Sequence, residues 1–264
     1  MKSILFSPTH YKHLWLIENQ YKVLSKFIPS FIYHIICNNP KDKNDIISLS
    51  ERNDHTSVTI IDSNPETDIS LNHTYAVNYF FNKCLVNSIE SSVANLYMPI
   101  DSDIVPIRRI TEDEIERIYD LGYYGHSKHN EMKIPYLFIG TTILSDWFIK
   151  QYGGFERLNF NKDIIGDSGA TNFLPEDGMF RNAIDWNNIT SYYDCEWRYL
   201  EIEGKEFWFQ IHDKTWLHLV GGSRQGTGCP QGIREKGSKI LFDLILNEES
   251  DSAYQAIINH SKGK

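Results

Sequence analysis

A chain of 264 residues that is 41% hydrophobic and 13% aromatic can bury a large core, which excludes a disordered segment. Acidic residues outnumber basic ones 35 to 26, for a net charge of -9, and no Lys/Arg run supplies a basic stripe, so nucleic acid is not indicated as a partner. Cys37, Cys84, Cys195 and Cys229 lie far apart without CxxC spacing, and neither a signal peptide nor an apolar run of about 18 residues occurs, so a soluble, cytoplasmic protein with reduced thiols and no membrane span is expected.

The first predicted element is a short apolar strand, Ser3 to Ser7, closed by Pro8-Thr9. Leu14, Ile17, Tyr21, Leu24 and Phe27 then share one helical face, and Pro29 stops that helix. A second strand runs from Phe31 to Cys37 and ends in Asn38-Asn39-Pro40. The charged stretch from Lys41 to His55 reads as a loop or a loosely held helix. Ser57 to Ile61 is a third strand, ending at Asp62. From Thr74, the positions Val77, Phe81, Cys84 and Leu85 mark a helix that leads into the strand Leu96 to Ile100. Strands alternating with helices predict an α/β fold with an open, mostly parallel sheet flanked by helices. Ligands of such sheets bind at the carboxyl ends of the strands, which here carry Thr9, Asn38, Asp62 and Asp101.

In the second half, Thr111 and Glu114 form a capping box that starts a helix with Ile115 and Ile118 inward. Leu121 to Met132, rich in Gly and His, reads as a loop that leaves His126 and His129 in solvent. Pro135 to Leu144 reads as a strand running into a helix, Ser145 to Tyr152, that Gly153-Gly154 stops. Trp197 to Ile202 and Glu206 to Ile211 read as a hairpin turning at Gly204-Lys205, followed by the strand Trp216 to Val220 and an amphipathic tail helix from Ile240. Trp208, Trp216, Tyr192 and Tyr193 are expected in the core, and Trp147, on the helix, offers an apolar ring face for stacking.

The stretch Asp101-Ser102-Asp103 carries the chemistry. If strand geometry persists, residues i and i+2 face one way, and two close carboxylates repel unless a cation lies between them. Hard oxygen ligands favour Mg²⁺ or Mn²⁺, which also neutralise diphosphates. Asp and Ser are equally ordinary turn residues.

The α/β first half, the strand ending in Asp-Ser-Asp, the stretch FIGTTILSDWFIKQYGGF (Phe138 to Phe155), an acidic helix start and a late histidine together resemble the GT-A class of glycosyltransferases. The resemblance implies a catalytic domain over residues 1–228, with a nucleotide-sugar-binding half at 1–106 and an acceptor half at 107–228, and a helical tail at 229–264. It implies a hexosyltransferase moving a sugar from a nucleotide-sugar donor, expected to be a UDP-sugar, to a hydroxyl acceptor. The acceptor would be a glycan, a lipid-linked sugar, a protein or a modified nucleobase. It further implies that Asp101, Asp103 and His218 hold Mn²⁺ or Mg²⁺, and that Thr9, Asn38, Asp62, Asn78, Ser102, Ser223 and Arg224 contact the donor. Asp167 and Asp177 are both candidates for the base of an inverting reaction, with Asp167 favoured because Gly166 and Gly169 permit close substrate approach. Val77 departs from the class, many members of which carry arginine there. Two other readings stand beside this one: a sugar-nucleotide or glycan-binding module without catalysis, and a phosphohydrolase using Asp101 as nucleophile.

Overall fold

The computed structural model describes residues 2–10, 14–38, 40–61, 69–86, 94–129, 133–160, 170–174, 177–219, 229–249 and 251–263. In chain order its strands begin with β1 (Ile4–Phe6), β2 (Thr9–His10), β3 (Phe31–Cys37), β4 (Thr56–Ile60), β5 (Leu96–Met98), β6 (Ile104–Pro106) and β7 (Tyr123–Tyr124). They continue with β8 (Ser127–His129), β9 (Pro135–Leu137), β10 (Ile143–Ser145), β11 (Glu196–Ile202), β12 (Lys205–His212), β13 (Trp216–His218) and β14 (Lys262–Gly263). The helices are α1 (Leu14–Phe27), α2 (Lys43–Arg52), α3 (Ile69–Tyr79), α4 (Glu112–Leu121), α5 (Asp146–Gln151), α6 (Gln231–Asn247) and α7 (Ala253–His260), with a π-helical turn, Phe80–Leu85, continuing α3.

Contacts divide the chain into two interleaved units, which cut it differently from the 1–106, 107–228 and 229–264 division implied above. The first comprises Met1–Leu14, Ser30–Asp101 and Glu112–Tyr192; the second comprises Trp15–Pro29, Ser102–Thr111 and Tyr193–Lys264.

The first unit is a mixed α/β layer whose sheet is parallel in its first half. β1 lies between β3 and β5, parallel to both, and β4 extends the sheet beyond β3. β2 continues the line of β1: Phe6 pairs with Tyr33 and Thr9 with Ile36 in one register, and the break falls at Pro8, which has no N–H to give. β10 and β7 close the other edge antiparallel. One row of side chains crosses this sheet, Ile32, Leu5, Tyr97, Leu144 and Tyr123, because paired residues on neighbouring strands share a face. Val77, Phe80 and Phe81 after the second strand pair, and Phe148 and Ile149 of α5, pack in the same cluster. All of β1 is buried, as expected where helices and loops cover both faces of a parallel sheet.

Several elements differ from the sequence reading. Lys43–Arg52 is a regular helix with Ile46 and Leu49 buried, and residues 123–129 form two short strands where a loop was expected. His126 is accordingly buried, with Nδ1 3.0 Å from Thr141 Oγ1, and only His129 faces solvent. The run Pro135 to Leu144 is two strands separated by a 3-10 turn, Ile139–Thr141. Ser145 caps α5 by accepting from Phe148 N, and Gly153 and Gly154 end it with φ of 124° and 87°, which L side chains rarely adopt.

The second unit is an antiparallel sheet in the order β14-β11-β12-β13-β6. Its hairpin turns at Glu203-Gly204, one residue earlier than expected, and both residues have positive φ, matching the twist of the flanking strands. Leu200, Ile202, Phe207, Phe209 and Ile211 line one face and are buried against α1, α6 and α7. The buried stripe of α1 is Leu16, Ile17, Gln20, Val23, Leu24 and Phe27, so Leu14 and Tyr21 lie at its margin. α6 starts well before Ile240, and it approaches the sheet at Gly237. A Cβ there would lie 2.6 Å from Cγ of the fully buried Phe207. Gly237→Ala is therefore expected to destabilise by about 1–2 kcal/mol, because overpacking costs about 1–3 kcal/mol and exceeds the ~1 kcal/mol gain in helix propensity. Urea unfolding checks this, and a variant more stable than the parent would show that the helix yields freely.

Candidate functional site

In the first unit, the chain moves from β1 out to β3 and β4 and later returns to β5 on the other side of β1. The strand order therefore reverses beside β1, the place where open α/β sheets bind ligands at the carboxyl ends of their strands. Ser7, Thr9 and Asn38 stand at those ends and are all buried. The backbone there is already engaged, since Ser7 N donates to Met98 O at 3.0 Å and Ile36 N donates to Pro8 O at 2.9 Å. The Ser7 and Thr9 hydroxyls are different: each is buried with no hydrogen-bond partner among the described residues. Leaving a buried hydroxyl unsatisfied costs about 1–3 kcal/mol, a cost that a ligand taking those bonds would offset.

β5 ends at Met98, and Pro99 follows, so the alternation argument does not carry through to the aspartates. Asp101 lies outside regular structure and half-exposed, Ser102 and Asp103 form a turn, and β6 begins at Ile104. Asp101 belongs to the first unit and Asp103 to the second.

Within the second unit the structure brings together Asp103 and His218. Asp103 is buried, and its Oδ1 lies 3.8 Å from His218 Nε2. The backbone fixes this pair: His218 sits opposite Ile104 in the β13–β6 ladder, and Leu219 N donates to Asp103 O at 2.9 Å. Gln20 of α1 donates from Nε2 to Ile104 O at 2.7 Å and pins the start of β6. On the next strand Gln210, the cross-strand partner of His218, places Oε1 3.1 Å from His218 Nδ1. A carbonyl oxygen only accepts, so Nδ1 carries the proton and Nε2 is turned toward the carboxylate. The other side of Gln210 hydrogen-bonds the Cys195 thiol. Burial raises that thiol's pKa, against hydrogen bonds from its own backbone and from Gln210, and Asp194 adds to the rise. Sequence reasoning missed Gln210 and Ser7: the first reads as an ordinary polar position on a strand, the second as the end of one.

The remaining expected residues fall elsewhere. Asn78 accepts at Oδ1 from Phe160 N at 2.7 Å and so holds the segment after α5. Ser102 is half-exposed in the turn before Asp103. Asp177 is exposed in a run of turns over 177–183, where the sequence suggested a helix start. Asp62, Asp167, Ser223 and Arg224 lie outside the described residues. Trp147 donates from Nε1 to Tyr119 O at 2.6 Å, which fixes its ring against the fold, and Trp216 and Tyr192 are buried as expected while Tyr193 is exposed. Arg108 bonds Thr215 Oγ1 and Arg109 O.

Among the described residues, no three His, Cys, Asp or Glu side chains are grouped to hold a metal ion. Asp103 and His218 nonetheless fit a divalent cation in chemistry and spacing, with a carboxylate oxygen and an imidazole nitrogen directed at each other. Mg²⁺-type sites in phosphate enzymes commonly use one or two protein ligands and take the rest from water and substrate phosphates.

The fold of the described residues is a mixed α/β protein with a parallel-rich sheet and flanking helices, and no helix among them is long and apolar enough to cross a membrane. No family model matches the chain, and no curated protein does. Among solved structures it is similar to the mannosyltransferase Ktr4p from S. cerevisiae, with 9% identity over 97% of this chain and 62% of that one, at a TM-score of 0.36. It is also similar to the apo form of the glycosyltransferase GlyE of Streptococcus pneumoniae TIGR4, with 12% identity over 96% of this chain and 64% of that one, at a TM-score of 0.39. The chain spans less than two thirds of the length of each.

Proposed function

We propose that the chain is a glycosyltransferase that moves a sugar from a nucleotide-sugar donor, a UDP-sugar first among the candidates, to a hydroxyl acceptor. The observation that carries this reading is the buried Asp103 carboxylate facing His218 Nε2. Asp103 and His218, with Asp101, would hold Mn²⁺ or Mg²⁺, which when bound offsets the charge that builds on the leaving diphosphate. The hydroxyls of Ser7 and Thr9 suit the ribose and base, because each is buried at a strand end without a partner among the described residues, and Asn38 is the third contact proposed there. Asp62, Ser102, Ser223 and Arg224 complete the proposed donor contacts, Arg224 as a guanidinium for phosphate oxygens. The acceptor proton would go to Asp167, with Asp177 as the alternative base, if the reaction inverts configuration.

The test is thermal unfolding in a panel of nucleotides and nucleotide sugars, each with and without Mn²⁺. A donor at a hundredfold excess over Kd should stabilise by about 2.7 kcal/mol, and more weakly when Mn²⁺ is chelated. If no nucleotide or sugar nucleotide raises Tm under either condition, the donor-site reading is wrong. Binding without release of free nucleoside diphosphate in the presence of acceptors would identify a binding module instead.

A further inference from the structure

The sheet of the second unit has a second face, opposite its buried core. Leu200 and Ile202 of β11 and Phe207, Phe209 and Ile211 of β12 point into the core, so the alternate positions point away from it. Those positions carry Trp197, Tyr199 and Glu201 on β11, and Glu206 and Trp208 on β12. Tyr199 and Trp208 are cross-strand partners with ring centroids 4.7 Å apart, and Trp197 packs on Trp208 at 6.4 Å with its plane turned by 67°. Aromatic rings of this size normally bury, yet Trp197 is 39% exposed, and Tyr199 and Trp208 are only partly covered. Their rim is polar: Glu206 accepts from Trp208 Nε1 at 3.0 Å, and Lys262 pairs with Glu201 at 2.7 Å with its ammonium 5.9 Å from the Tyr199 ring.

We infer that Trp197, Tyr199 and Trp208 form a stacking platform for the acceptor, and that the acceptor is an uncharged saccharide chain. This rests on the transferase reading above. Two observations select the ligand. A pyranose offers an apolar C–H face to the rings and hydroxyls to Glu201, Glu206 and Lys262, whereas a purely aliphatic ligand would strip water from those charges without repaying them. A nucleotide would stack equally well, but its phosphates would meet two carboxylates, so charge turns it away from this face. The register then ties the platform to the reacting end. Trp197 is the cross-strand partner of Gln210, Gln210 of His218, and His218 of Ile104, so the four lie in one row across the sheet. With strands about 4.8 Å apart, Trp197 stands about 10 Å from His218 along that row. Gln210, between them, is buried, so a saccharide chain would rest on the exposed rings of β11 and β12, with the Asp103–His218 pair about 10 Å farther across the same row.

The test is binding to the full chain, without donor or metal, of short linear gluco-, manno- and galacto-oligosaccharides, followed by tryptophan fluorescence and calorimetry. At least one series is expected to bind, with Trp197→Ala and Trp208→Ala each weakening it about tenfold, and Trp208→Tyr, which keeps a ring, weakening it less. Circular dichroism confirms the fold, and Glu206→Gln, which leaves the rings in place, gives a second readout on the rim. The inference is overturned if no oligosaccharide binds, or if the alanine variants bind as the parent does. Saccharide binding on this face without any transfer from a donor would defeat the transferase reading and leave the platform standing. Transfer to an acceptor with the same KM in parent, Trp197→Ala and Trp208→Ala would do the reverse.

Discussion

Asp103→Asn is expected to keep the fold and lose at least about 100-fold in sugar transfer, together with the Mn²⁺-dependent part of donor stabilisation. The fold survives because backbone and neighbouring elements hold this segment. Leu219 N donates to Asp103 O, β6 pairs with β13 through Ile104, and Gln20 reaches Ile104 O, none of which uses the carboxylate. Asparagine has nearly the same shape but carries no charge. It leaves His218 Nε2, 3.8 Å away in the parent, facing a neutral amide that binds a divalent cation far more weakly than a carboxylate does. Losing one preorganised electrostatic contact where charge develops typically costs about 10² to 10³ in kcat. The measurements are turnover with the donor found in the thermal panel and donor affinity with and without Mn²⁺. Transfer within a few-fold of the parent would remove Asp103 from the reaction, and an equal loss of stability in the absence of all ligands would make it a structural residue.

How far the sequence foretold this arrangement depends on the range of the interactions involved. β3, β4 and β5 were legible because short runs rich in β-branched, aliphatic and aromatic residues, followed by Asn, Asp or Pro, signal strands locally. The cap at Ser145 and the stop at Gly153-Gly154 were legible for the same reason, since each is satisfied within a few residues. The two-residue strand at Tyr123–Tyr124 was not, because it exists only through pairing with β10, and β10 runs antiparallel against an otherwise parallel edge. His126 looked solvated in a Gly- and His-rich stretch, but Thr141, far along the chain, supplies its partner and makes burial affordable. The phase of α1 slipped because an apolar pattern has no place for Gln20, which a single carbonyl on β6 makes a buried anchor.

For the candidate site, residue types and order were legible and the division of labour was not. Periodicity placed Asp101 and Asp103 on one strand face, but Pro99 ends the ladder early, and the second aspartate joins a different sheet. The unit that holds that sheet is assembled from segments 15–29, 102–111 and 193–264, and no local pattern announces that three such distant stretches share one core. The pairing of Asp103 with His218 is a consequence of that non-local assembly, and so is the role of Gln210.

Acidification is expected to destabilise the protein through His34 before most carboxylates titrate. His34 of β3 stacks on Phe80 at 4.2 Å and bonds two hydroxyls of β4, with Nδ1 2.7 Å from Ser57 Oγ and Nε2 2.8 Å from Thr59 Oγ1. Hydroxyls can serve as donor or acceptor, so these bonds suit either charge state, and burial decides the balance by disfavouring the imidazolium. It lowers the pKa from 6.5 to about 4. Between those values the unfolded chain binds a proton that the folded chain refuses, so stability rises with pH across this window. The contribution is fully present above about pH 6.5, declines as pH falls, and is lost by about pH 4, a change on the order of 3 kcal/mol at 1.36 kcal/mol per unit. His34→Gln keeps a side chain that bonds hydroxyls and removes the titration. Its Tm at neutral pH should be lower than the parent's through lost packing on Phe80, but its decline between pH 6.5 and 4 should be clearly shallower. Parallel Tm curves for the two proteins across that window would assign the acid sensitivity to other groups.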